Sequence, residues 1–157
     1  MNTSCAQGVE ASFTNGAGLA FLSKTEVIYS NTQWFSGYGA SINAFGFGQR
    51  ISDADVLGVA IMGVGFGDIP ITTVESPEQG ANGTYSPSLF NVNVMYAHSF
   101  SSSIHGGVNI KVISESTDNV SAMGVALDAG IQYVTGDDNE FKFGVSLKNI
   151  GPALSFS

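Results

Sequence analysis

A single cysteine, Cys5, stands in the chain, so no internal disulfide can form. It lies in a polar stretch, and Met1 to Ser4 supply no apolar run of the kind that precedes a lipid-anchored cysteine. No apolar segment reaches the ~18 residues that a membrane helix needs. No leader peptide is visible, so an envelope location implies a mature form or a fragment of a longer protein. Charge is scarce: Asp, Glu, Lys and Arg make up 11% of residues, against ~25% in an average soluble domain. Basic groups are scarcer still, five against 13 acids for a net charge of −8. Phosphate binding needs clustered Lys and Arg, so this balance argues against nucleic acid as a partner.

What is present is alternation. From Ser88 to Phe100, Phe90, Val92, Val94 and Tyr96 point one way, and Asn91, Asn93, Met95 and Ala97 the other. Period two over about ten residues marks a β-strand with two different faces. A soluble sheet would carry Lys, Glu and Thr on its polar face. Here that face is small and uncharged, as in a transmembrane barrel strand with lipid outside and a crowded or wet lumen inside. The 157 residues suffice for one domain. About seven such strands are expected, at 25–34, 37–49, 54–66, 88–100, 104–115, 120–134 and 139–149. Most match the ~9–11 residues that cross a bilayer obliquely. The acids gather at the expected turns (Asp53, Asp55, Glu115, Asp118, Asp137, Asp138, Glu140), leaving strand interiors nearly neutral. The fold class is therefore all-β, an antiparallel transmembrane β-barrel of the outer-membrane type. Residues 1–24 form an N-terminal periplasmic or plug segment with one short helical turn at Ala17–Leu22, and 25–157 a partial barrel.

The connections differ in length. Turns at 50–54, 101–103 and 135–138 are short; 67–87 and 115–119 are longer. Outer-membrane barrels pair tight periplasmic turns with larger outside loops, which makes 67–87 the main outer loop. Within it, Pro70, Pro77, Gly80 and Gly83 block regular helix, and Ile69 to Val74 can form a short extra strand. Aromatic residues fall near strand ends: Trp34, Phe35, Tyr38 and Phe66 at the outer end, Phe100, Tyr133, Phe141 and Phe143 at the inner. Such rings favour membrane interfaces. A soluble β-sandwich would bury them in its core, but the lack of charge on either strand face speaks against one.

The last two strands assign their faces cleanly. Phe141, Phe143, Val145 and Leu147, with Leu127, Ala129, Ile131 and Tyr133, face lipid. Lys142, Gly144, Ser146 and Lys148, with Ala126, Asp128, Gly130 and Gln132, face inward. The hairpin sets Asp128 diagonal to Lys148, which predicts a lumenal ion pair between them. Strand 54–66 is apolar on both faces, and Leu57, Val59 and Ile61 are read as its inner side, packed on a plug or another strand.

No catalytic pattern emerges. Gly63-Val64-Gly65-Phe66-Gly67 is followed by Asp68-Ile69-Pro70 and no helix, so it is no phosphate loop but a bend in the wall. His98 and His105 flank a short turn without further ligands, so no metal is expected. Asp137-Asp138-Asn139-Glu140 reads as a solvated acidic turn rather than a calcium site. No nucleophile elbow is present. Neither an enzyme nor a cofactor is expected.

Four stretches together resemble the PorV/PorQ family of outer-membrane proteins associated with type IX secretion, itself related to fatty-acid-channel-like barrels. They are Asn15-Gly16-Ala17-Gly18-Leu19-Ala20-Phe21-Leu22, Asn31-Thr32-Gln33-Trp34-Phe35, Tyr85-Ser86-Pro87-Ser88-Leu89-Phe90 and Phe143-Gly144-Val145-Ser146-Leu147-Lys148-Asn149-Ile150-Gly151-Pro152. In the first, Gly16 stands where the family has Pro. The resemblance implies a barrel of about fourteen strands, of which this chain would be the N-terminal half. It also implies a shuttle that binds the C-terminal sorting domain of secreted cargo through outer loops. Loop 67–87 suits that task, and Ile69, Ile71, Val74 and Tyr85 can dock a partner by strand addition. Outer-membrane lipid, secreted cargo and other type IX components are the implied partners. The alternative is a transporter of small hydrophobic molecules, which the apolar Leu57, Val59 and Ile61 would favour.

Overall fold

The structure, a computed structural model, describes residues 3–34, 39–72, 83–117, 120–136 and 140–153. Seven long strands make one antiparallel sheet: β1 (Thr25–Trp34), β2 (Ala40–Arg50), β3 (Asp55–Gly65), then β6 (Ser88–Ser99), β7 (Ile104–Thr117), β8 (Val120–Thr135) and β9 (Phe141–Ile150). Between β3 and β6 lie two short strands, β4 (Ile69–Pro70) and β5 (Thr84–Tyr85), paired with each other. The long strands pair in chain order, so the sheet is a meander. Each begins and ends within three residues of the spans expected from alternation. The sheet is open, with β1 and β9 as its edges and no pairing between them.

Turn chemistry closes the hairpins. The Ser52 hydroxyl accepts from the amides of Ala54 (3.2 Å) and Asp55 (3.0 Å) between β2 and β3. Ser101 does the same for Ser103 (3.2 Å) and Ile104 (3.1 Å) between β6 and β7. Ser side chains stabilise such turns by standing in for a backbone acceptor. The expected longer join at 115–119 is a correction: β7 runs through Thr117 and β8 starts at Val120, leaving two connecting residues.

The core lies on one face only. Two 3-10 helices, Val9–Phe13 and Gly16–Phe21, lie across that face, as the expected turn at Ala17–Leu22 anticipated in part. Val9, Leu19, Ala20 and Leu22 of this segment pack on Val56, Ala60, Met95 and Ala97 of the sheet, with Phe13 and Ile28 at the margin. Fully burying a Val or Leu side chain contributes ~1.5–3 kcal/mol, so this layer is what holds the segment down.

Among the described residues, the other face has no cover. Along it stand Phe45, Phe47, Phe90, Val94, Tyr96, Val108, Ile110, Val125, Leu127, Ile131, Phe143, Val145 and Leu147, all exposed. The faces expected for β6, β8 and β9 hold. Those of β3 are reversed: Leu57 and Val59 are 43% and 39% exposed on the open face, while Val56 and Ala60 are fully buried under the 3-10 segment. Both faces of β3 are apolar, so hydrophobicity could not choose between them. Side-chain size does, because Gly58 and Ala60 leave room for Leu19. Among the described residues, no helix is long and apolar enough to cross a membrane, which bears on helices alone.

Candidate functional site: the covered face, the polar rim and the outer hairpin

The inward polar residues serve as donors to the backbone of the N-terminal segment. Gln132 Nε2 donates to the carbonyls of Thr3 (3.0 Å) and Ala6 (3.1 Å). Asn109 Nδ2 donates to Ser12 O (3.2 Å), and Lys148 Nζ to Phe13 O (2.9 Å). At the next hairpin, the Arg50 guanidinium donates to the carbonyls of Leu22 (2.7 Å) and Ala20 (2.6 Å). In the other direction, Asn15 reaches from the segment to Ile131 O (3.3 Å), and its Oδ1 accepts from Ala17 N (3.1 Å) to cap the second 3-10 helix. Irregular backbone cannot satisfy its own carbonyls, so these side chains do it. Two glycines make the approach possible. A Cβ on Gly107 would overlap the Gly16–Ala17 peptide, and one on Gly130 the Asn15 side chain.

Asp128 faces inward as expected and is 5% exposed, but its partner is not Lys148. Lys111 Nζ lies 2.8 Å from Asp128 Oδ1, with both side chains under one-tenth exposed. The cause is a β-bulge. Register jumps between Leu127↔Ile150 and Ala129↔Leu147, so Lys148 and Asn149 together oppose Asp128. Asn149 takes the left-handed conformation (φ 59°), its amide donates to Asp128 Oδ1 (2.7 Å), and its side-chain oxygen accepts from Lys111 Nζ. Lys148 is thereby displaced toward Phe13. Nearby, Asn93 is 1% exposed with neither amide atom partnered, and Asp128 Oδ2 is likewise unpaired. This buried part of the inner face is thus polar rather than oily.

A second polar cluster sits on the open face, where β3 leaves its turn. Asp55 Oδ1 accepts from the Tyr96 hydroxyl (2.6 Å) and lies 2.7 Å from His98 Nδ1, while Oδ2 accepts from Ser52. His98 also meets Phe100 edge-on, ring centroids 4.9 Å apart. Reading the sequence missed this cluster. Asp55 and His98 are separated by the whole 67–87 loop, and only strand pairing (Asp55↔His98) joins them. His105, across the turn, faces inward, bonded to Ser99 (3.0 Å) and packed on Phe21.

In the 67–87 loop, Ile69 and Tyr85 face each other across the β4–β5 pair, and Ile71 N donates to Gly83 O (2.9 Å). All three side chains are half-buried. Val74 lies outside the described residues, as do Phe35, Tyr38, Pro77, Gly80, Asp118, Asp137, Asp138 and Asn139. The base of the loop is tied by Phe66 N to Pro87 O (3.1 Å) and by Ser86 to Asp68. So three of the four expected docking residues come together on one small hairpin beyond the end of the sheet.

The sequence matches no protein-family model and no curated protein.

Proposed function

We propose that the chain is a wall segment of an outer-membrane β-barrel whose outer hairpin receives a protein partner. The observation that carries the reading is the open face. Among the described residues its strands carry large exposed apolar side chains and a single charged one, Asp55, placed at the turn end. Soluble proteins rarely leave contiguous apolar patches beyond a few hundred Å² exposed, and lipid is the solvent that such a wall suits. The inner face is already filled by the chain's own segment. Exposed rings of the open face near the turn end, Phe100, Tyr133 and Phe141, fit one interface.

In this reading the open edges need closing, because unpaired strand edges are not tolerated in lipid. Seven strands leave β1 and β9 running the same way. An all-antiparallel ring therefore needs an odd number of further strands, from the same protein or another, as the fourteen-strand architecture of PorV-like barrels would give. The partner function follows the same resemblance: a shuttle that holds the C-terminal sorting domain of type IX cargo through the Ile69–Tyr85 hairpin. The second reading, a transporter of small hydrophobic molecules, draws on the segment lying in the lumen. It is disfavoured by the buried polar tract of Asn93, Asn109, Lys111 and Asp128, and by Leu57 and Val59 pointing away from that tract. A pull-down decides. Removing 69–86 should abolish capture of sorting-domain cargo while leaving the protein in the membrane. Unchanged capture, with altered uptake of apolar solutes, would favour the transporter.

A further inference from the structure

The apolar open face is not smooth. Near the turn ends of β6, β7 and β8 a groove of about 330 Å³ opens, with an almost wholly apolar lining. It exists because two outward positions are small. Gly106 lies opposite His98 and Ile131, and Ala129 opposite Val108. The missing side chains leave a channel walled by Tyr96, Phe100, Val108 and Ile131. On the other side of the Tyr96 ridge lies a second apolar groove, about 300 Å³, between Phe47, Leu57, Val59 and Val94. Adjacent strands are ~4.8 Å apart, so the two grooves are separated by roughly two strands, on the order of 10 Å. At the turn end, beside the first groove and between the two, stands the Asp55–His98 pair, with side chains 27% and 36% exposed.

Resting on the membrane reading above, we propose that this part of the wall is a specific site for a diacyl phospholipid with a primary-ammonium headgroup. One chain lies in each groove, the ammonium on Asp55 and the phosphate on His98. The volumes suit narrow chains; they sit at the low end of ligand pockets, too small for a bulky ring system. The polar pair complements a zwitterion. Asp55 accepts three hydrogen bonds, and a carboxylate has about four acceptor sites, so one is left for an ammonium N–H. Donating Nδ1–H to Asp55 and Nε2–H to a phosphate oxygen together makes His98 an imidazolium held between two anions. A trimethylated ammonium has no N–H to donate. A glycerol headgroup has no cation. Asp55 thus selects against both, while the grooves treat all three lipids alike.

The test uses the protein in vesicles of phosphatidylcholine containing equal parts of phosphatidylethanolamine and phosphatidylglycerol. Lipid that stays bound after gentle detergent release is read by native mass spectrometry. Phosphatidylethanolamine should be retained roughly tenfold over the other two, a ratio within reach of one charge-assisted hydrogen bond. Asp55→Asn should erase that preference. Ala129→Phe, which fills the first groove from an exposed position, should lower retention of all three lipids together. Equal retention by the unaltered protein, or an unchanged preference in Asp55→Asn, would overturn the site while leaving the membrane reading in place. Failure of the protein to float with any vesicle would overturn that reading and the lipid site with it.

Discussion

Lys111 Nζ sits 2.8 Å from Asp128 Oδ1 on neighbouring strands, and neither side chain is more than 8% exposed. Removing one member of a buried pair strands the other charge, which typically costs ~3–5 kcal/mol. Lys111→Met should therefore destabilise the protein by about that amount. Lys148→Met removes one charge-assisted hydrogen bond to Phe13 O, an effect of about 1.5–3 kcal/mol. The double variant Lys111→Met/Asp128→Leu should recover part of the loss, because no charge is then left unpaired. Denaturant unfolding of the three variants checks the order. A Lys148 effect equal to or larger than that of Lys111 would contradict the pairing.

The N-terminal segment comes close to the sheet because Gly107 and Gly130 put no side chain beneath it. Gly130→Val would drive a side chain into Asn15, and overpacking of this kind costs ~1–3 kcal/mol. It should also loosen the segment. Limited proteolysis within residues 3–22 should speed up in Gly130→Val and stay unchanged in Gly63→Ala, whose Cβ would meet only Phe90, at 3.8 Å. Equal protection in both variants would mean that the segment is not held by this contact.

How much of this was legible beforehand follows from where the information sits. Alternation located all seven long strands, and on β6, β8 and β9 it also sorted the faces, because one side of each is large and apolar and the other small or polar. On β3 both sides are apolar, and the choice rests on the fit of Val56 and Ala60 under Leu19, a contact between residues distant in sequence. Asp128 was placed on the correct face, but its partner depended on a one-residue bulge at Lys148–Asn149 that no local pattern signals. A lysine in mid-strand at an inward position, Lys111, was the available hint. The Asp55–His98–Tyr96 cluster left no trace, since its members meet only after β3 pairs with β6 across a long loop.

The two faces of β9 allow the most direct trial of the wall. Val145 and Leu147 are 56% and 61% exposed on the open face, whereas Ser146 between them is half-buried on the inner one. In reconstituted vesicles, spin labels at Val145 and Leu147 should be relaxed by dissolved oxygen and shielded from a water-soluble nickel chelate. A label at Ser146 should be shielded from oxygen, crowded against the covered face. Charge should follow the same sorting. If the open face meets lipid as proposed, Val145→Lys places an ammonium against acyl chains, at ~2–4 kcal/mol near the bilayer midplane, while Ser146→Lys joins a face that already holds Lys142 and Lys148. Refolding yields in vesicles should thus fall steeply for the first variant and only modestly for the second. Equal nickel access at positions 145 and 146 would place both in water, and the open face would then have to be covered by protein rather than by lipid.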